Sequence, residues 1–257
     1  MYSEAVLQEI AGASTDVRTK LAKKVAAILA LVESYRHLGK GFTFDCDSTL
    51  DRQVNKLLAE LSDEVLEDTE ERMRKAIREA EDEEDSDEII AWVKSDKNAQ
   101  DTLDKYASHL KFILEGWVTI GFANQLSSGN ILSNLLAFIA NPYISPLWIK
   151  AFKEGKEYAA KIIQDGGYHW KKGMPVSPLR GLVMVESDMI NTAYNHGVIY
   201  HYRHSGAIGY RVFRGSSYDC PRCDEQCVGI HPIDEIVLPV HPNCVCYTKP
   251  VFPGEAD

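Results

Sequence analysis

Five of the chain's six cysteines fall between Cys220 and Cys246, a window of 27 residues, whereas the preceding 219 contain only Cys46. The order is Cys220-Pro-Arg-Cys223, then Cys227, then His241-Pro-Asn-Cys244-Val-Cys246. A C-x-x-C turn aims two thiolates at one point, and donors from a distant turn complete a tetrahedron around zinc. A short segment poor in apolar residues can fold on such an ion, because the free energy of binding it becomes free energy of folding. The competing reading is two disulfides and a spare thiol, a pattern of secreted chains. Met1-Tyr2-Ser3-Glu4-Ala5 offers no basic stretch leading into an apolar core, so no signal peptide is expected. A structural zinc module over about residues 210–250 is therefore the expectation.

Cys220 and Cys223 are the firmest ligands, and two more come from His241, Cys244 and Cys246, with Cys227 and His231 as alternates. Cys244 and Cys246 flank one residue, so in extended chain both side chains face the same way. That permits an all-thiolate site. His241 can instead take a coordination position itself or hydrogen-bond a thiolate from outside it.

The rest of the chain reads as helix. Val17, Leu21, Val25, Ile28, Val32 and Tyr35 recur at spacings of three and four, which lines one helical face with apolar groups, and Gly39 and Gly41 end that run. A second helix is predicted from Ser48, as its cap, through Leu50, Val54, Leu57, Leu61, Val65, Met73 and Ile77. A third is predicted over about residues 87–115, through Ile90, Val93, Leu103, Tyr106, Leu110 and Ile113. Beyond it Gly116, Gly121, Ser127-Ser128-Gly129 and Asn141-Pro142 read as breaks between short helices. Ser145-Pro146 and Ser177-Pro178 each open a further helix, reaching about Gln164 and His204, and Ser205-Gly206 ends the latter. Tyr210 to Arg214 alternates like a short strand. The fold class expected is mainly α with a small C-terminal α+β zinc-stabilised module, divided into a helical region 1–115 and a domain 116–257.

With 45% hydrophobic residues the chain can bury a sizeable core. Its longest apolar run, Asn130 to Ile149, is interrupted by Asn134, Asn141, Pro142 and Pro146, so no membrane partner is expected. The net charge of -10 is localised: between Asp63 and Glu88 there are 14 acidic and 4 basic residues, which accounts for all of it. Such a run reads first as a solvated helix face, and second as a surface for a basic partner. The overall acidity excludes a protein that coats nucleic acid over its whole surface. The stretch from Lys150 to Arg180, with seven basic and three acidic residues, leaves room for a local contact with DNA.

The order of elements in the C-terminal third carries a resemblance. A helix bearing Glu186 and Asn191-Thr-Ala193-Tyr194-Asn195 ends at Ser205-Gly206, a strand follows, then Asp219-Cys220-Pro221-Arg222-Cys223, Gly229, and Leu238-Pro239-Val240-His241-Pro242-Asn243-Cys244-Val245-Cys246 near the chain end. This succession resembles the phage head morphogenesis family, the Mu-type minor head proteins of tailed phages and prophages. The match covers roughly residues 177–251. Met184 stands where that family usually has a basic residue, and Cys227 and His231 lie where it commonly has an alanine and an Asp-Gly stretch. The resemblance implies a virion protein of the head interior, made in the host cytoplasm and placed near the portal. It also implies portal or major capsid protein as partner, and no catalysis.

Enzymatic alternatives rest on an open zinc site, with three protein ligands, a water and a nearby base such as Glu225 or Glu235. A zinc-dependent nuclease or toxin domain is the broadest of these. A zinc deaminase needs P-C-x-x-C after its H-x-E or C-x-E element, whereas here Cys223-Asp-Glu225 is followed by Pro242-Asn-Cys244-Val-Cys246. His196, His201 and His204 form a second concentration of ring nitrogens on the predicted Tyr-rich helix, suited to a metal or a phosphate. Glu186, set among Val183, Met184, Val185 and Met189, is expected to pair with Arg180 or Arg211.

Overall fold

A computed structural model describes residues 3–80, 84–140, 169–171, 174–176 and 178–255. Among them are seven α-helices: α1 (Glu4–Val32), α2 (Ser48–Glu79), α3 (Ser86–Asp96), α4 (Ala99–Ala123), α5 (Ser128–Ala140), α6 (Pro178–His204) and α7 (Pro221–Gln226). The strands are β1 (His169–Lys171), β2 (Met174–Val176), β3 (Gly209–Phe213), β4 (His231–Pro232) and β5 (Tyr247–Val251). The fold is mainly helical with a small antiparallel sheet near the C-terminus, as expected. The helix predicted from Ser145 lies outside the described residues, as does most of the basic stretch from Lys150.

Packing divides the chain into two compact units, neither continuous in sequence. One comprises Met1–Ser14, Leu66–Ala99 and Met184–Asp257; the other comprises Thr15–Val65 and Gln100–Val183.

In the second unit the apolar stripe of α1 is buried as its spacing requires, with Val17, Leu21, Val25, Ile28 and Val32 all at 1% exposure or less. Burying a side chain of this size stabilises by about 1.5–3 kcal/mol. Val54, Leu58 and Leu61 of α2 are buried too, with Leu58 rather than Leu57 as the inward residue, and Lys20 and Lys24 of α1 hydrogen-bond Glu64 and Glu60 of α2. Asp47, not Ser48, caps α2: its Oδ1 accepts the N–H groups of Thr49 and Leu50 at 2.7 and 3.2 Å. Aspartate one residue before the first turn satisfies donors that Ser48, already helical, cannot reach. Neither Gly116 nor Gly121 breaks a helix; both lie inside α4, where burial of Ile113, Leu114, Trp117, Val118 and Ile120 overrides their low propensity.

The first unit contains the start of α1, the later part of α2, α3, most of α6 and the C-terminal module. The single helix predicted over 87–115 is two, because Asn98 adopts φ +44°, a left-handed conformation that ends α3 before α4 begins. Helix α6 runs from Pro178 to His204, as its start and stop signals require. Gly206 (φ +82°) closes it: its N–H donates to the Arg203 carbonyl, and that of Ala207 to the Tyr202 carbonyl. The chain then enters β3, one residue earlier than the alternation indicated, at the centre of a sheet ordered β4-β3-β5. Antiparallel pairing sets Gly209 opposite Val251 and Phe213 opposite Tyr247, so β5 brings the terminal cysteines back beside the Cys220 turn.

The acidic stretch is partly neutralised within the first unit. Arg74 pairs with Asp87 and Lys75 with Glu71, while Lys94 pairs with Glu70. Exposed pairs of this kind contribute about 0–1 kcal/mol each. No described helix is long and apolar enough to cross a membrane.

Candidate metal centre

Two turns and a return strand build the site. Pro221 occupies the first helical position of α7, where its missing N–H costs nothing, so Cys220 sits just before the helix and Cys223 at its inner face. The second turn is His241-Pro242-Asn243-Cys244. The Cys244 N–H donates to the His241 carbonyl at 3.0 Å, and Asn243 takes φ +62°. Proline followed by asparagine in the left-handed region is what a type II turn requires. The turn therefore holds His241 and Cys244 at its two ends. Cys244 and Cys246 are both buried with Val245 between them half-buried, so the two thiols do face one way.

These elements bring five donors together. Cys220, Cys223 and His241 form one mutually close set, and Cys223, Cys244 and Cys246 another, the ligand atoms of each within 4.8 Å of one another. His241 Nε2 lies 3.4 Å from Cys220 Sγ and 3.1 Å from Cys223 Sγ, and Cys223 Sγ lies 4.0 Å from Cys244 Sγ. A tetrahedral zinc ion with its usual bond lengths has ligand–ligand edges of about 3.6–3.8 Å. The observed separations bracket that value, so the cluster can hold a metal ion. No disulfide links these thiols.

The histidine is set for ligation. Its Nδ1 lies 2.9 Å from the Pro242 carbonyl, which only accepts, so Nδ1 carries the proton and the Nε2 lone pair faces the sulfurs. Electrostatics point the same way. Burial, with neighbouring sulfurs adding to it, pushes the Cys223 thiol far above its usual range, and burial raises Cys246 as well. The N–H and thiol of Cys223, then His241, hold Cys220 below its usual range. Closely packed thiols resist ionising together unless a cation lies among them, and a soft divalent ion supplies that charge.

The alternates fall outside the cluster. His231 lies on β4, stacked 5.3 Å from the Tyr210 ring, with its Nε2 2.8 Å from the Gln226 carbonyl. Cys227 ends α7 and packs against the module's apolar core without joining either donor set. Glu225 and Glu235 are exposed and join neither set.

Three supporting residues carried no metal-ligand signal in the sequence. Tyr210 is fully buried; its hydroxyl donates to the Glu235 carbonyl at 2.7 Å and accepts the Val237 N–H at 3.2 Å, pinning the loop that leads to His241. Burial pushes its phenol up to about 12. The Gly215 N–H bonds the Cys246 sulfur, and a Cβ there would lie 1.6 Å from the Val245 carbonyl oxygen, so only glycine fits. Asn191, from α6, donates from Nδ2 to the Cys244 carbonyl at 2.8 Å. It was visible in sequence only as part of a helical motif.

The three histidines of α6 do not assemble. His196 is buried against Trp92 with ring centroids 4.2 Å apart, His201 lines a cleft with Glu79 and Thr248, and His204 lies 3.4 Å from Asp85. Burial lowers the His196 imidazole to about 4, with Lys97 adding to the effect and Asp96 opposing it. Between pH 6.5 and 4 the unfolded chain takes up a proton there that the folded chain does not, so stability falls as pH falls. Urea midpoints should record a loss of about 2 kcal/mol between pH 7 and pH 5. His196→Gln should remove that share of the slope; an unchanged slope in the variant would place the titration elsewhere. Glu186 is 1% exposed, and Arg72 of α2 places its Nε 3.8 Å from the carboxylate, a cation that the sequence did not point to.

Compared with known proteins, the chain matches no family model, and no curated protein or solved structure is significantly similar to it.

Proposed function

We propose that this chain is a structural protein of a phage or prophage head, a minor head protein whose C-terminal module is held by one zinc ion. The observation that carries the reading is the meeting of the helix stretch with the cysteine turn of the same resemblance. Asn191, in the Asn-x-Ala-Tyr-Asn stretch of α6, hydrogen-bonds Cys244, in the His-Pro-Asn-Cys-x-Cys turn. Sequence elements 53 residues apart that interlock at one buried point behave as a single module. The donor set supports a structural rather than a catalytic ion. Five candidates for four positions leave none for water, and no carboxylate stands among them. Zinc fits the thiolate-and-imidazole donors better than a hard cation such as magnesium does.

The partners proposed are portal or major capsid protein, and packaged DNA through the basic stretch near Lys150, with residence in the head interior after assembly in the host cytoplasm. The acidic face of α2 is the assembly surface in this reading. Co-expression of the full chain with the portal and capsid proteins of its own locus should give a complex that survives affinity purification. Replacing the exposed Asp63, Glu67 and Glu71 of α2 with their amides should reduce incorporation into heads. A locus without packaging or capsid genes, or a zinc-dependent hydrolytic activity abolished by chelation, would contradict the assignment.

A further inference from the structure

Asparagine is a poor helix former, and a buried one costs free energy unless its amide is fully used. Helix α6 nevertheless buries two, one turn apart: Asn191 at 2% exposure and Asn195 at 4%. Their bonds run in one direction. Asn195 Nδ2 donates to both the backbone carbonyl and the side-chain Oδ1 of Asn191, each at 2.8 Å. A donor on Oδ1 fixes which way the Asn191 amide points, and so directs its Nδ2 at the Cys244 carbonyl, 2.8 Å away. Cys244 is thereby held on both sides, through its N–H by His241 and through its carbonyl by α6. The peptide that carries its sulfur toward Cys223 has little freedom left.

We propose that Asn191 is a positioning residue for the metal: through the Cys244 backbone it holds that thiol, and the turn bearing His241, in ligating geometry, with Asn195 locking its amide. The inference rests on the metal-centre reading and extends it from the ligands to the helix behind them. It also gives a physical role to the asparagines of a helical stretch that otherwise has no chemistry to perform. Groups that orient ligands from outside the coordination sphere typically contribute about 10- to 100-fold in metal affinity.

The test uses the full zinc-loaded chain titrated with a chelator, as wild type and as Asn191→Ala, Asn191→Asp and Asn195→Ala. Asn191→Asp keeps the shape and removes the donor, and it serves if the alanine variant does not fold. Both Asn191 variants should still take up one zinc but yield it to about 10- to 100-fold less chelator, with a smaller shift of the same sign in Asn195→Ala. After exchange of zinc for cobalt(II), the ligand-field absorption should change in the Asn191 variants. It should not change in Ile90→Val, a packing change in α3. Wild-type affinity in either Asn191 variant, or cobalt spectra identical to wild type, would overturn the proposal while leaving the metal centre standing. A wild-type chain that takes up no zinc would instead remove the metal centre itself.

Discussion

Cys223→Ser should cost the chain its metal and its C-terminal module together, whereas Cys46→Ser should leave both intact. Cys223 is the one donor shared by the two close sets, and it sits at 3% exposure among Ile199, Tyr210, Val212 and Leu238. A serine there offers a harder, more weakly ligating oxygen, and no other donor lies in both sets. Binding of structural zinc is worth about 10–16 kcal/mol in small metal-dependent folds. A whole domain is stable by only about 5–15 kcal/mol. Loss of the ion therefore outweighs what the apolar cluster around β3 can supply alone. Limited proteolysis should cut between residues 205 and 255 in the variant and in chelator-treated wild type, while the helical circular dichroism signal largely remains. Cys46 is exposed and outside the cluster, which makes it the internal control. Stoichiometric zinc in Cys223→Ser would contradict the assignment of this residue.

The other large effect should come from Arg72. Its Nη1 donates to the Glu9 carbonyl at 3.0 Å and to Glu9 Oε2 at 2.7 Å, and its Nε lies 3.8 Å from the buried Glu186 carboxylate. One side chain thus ties α1, α2 and α6 together in the first unit. Arg72→Leu keeps apolar bulk but withdraws the positive charge 3.8 Å from a carboxylate at 1% exposure, and removing one partner of a buried ion pair costs about 3–5 kcal/mol. Glu186→Gln, placed on top of Arg72→Leu, should restore a substantial part, because a neutral amide is far cheaper to bury than a charge. Equilibrium unfolding of the four proteins in this cycle measures the coupling. Additive losses in the double variant would show that the two groups do not depend on each other.

What the sequence revealed and what it concealed divide along physical lines. Apolar stripes at helical spacing located α1 and the body of α2, because burial of one face dominates the energetics of a long helix, and the Ser177-Pro178 start and Ser205-Gly206 stop located α6. The break between α3 and α4 was hidden, since it depends on one asparagine entering a left-handed conformation that many asparagines never adopt. The Gly116 and Gly121 signals misled for the converse reason: tertiary burial outweighed a local cost of about 1 kcal/mol each. In the metal centre, Cys220, Cys223, His241, Cys244 and Cys246 were legible from spacing alone, because two-residue turns aim side chains without help from distant chain. Asn191, Gly215 and Tyr210 as supports were not. Each acts through a backbone group far away in sequence, and only the register of β3 with β5 and the packing of α6 bring those groups together. Arg72 as the cation facing Glu186 was concealed likewise, 114 residues away on another helix.

The most direct test of the account is metal content with thiol accounting on the full chain, purified without added metal under non-denaturing conditions. Native mass spectrometry should give one zinc per chain. Denaturation with chelator should then release it and expose six free thiols to alkylation, all six cysteines of the chain. A metal-free protein, or one whose C-terminal thiols stay blocked until reduced, would contradict the account and make the cysteine cluster a disulfide framework instead.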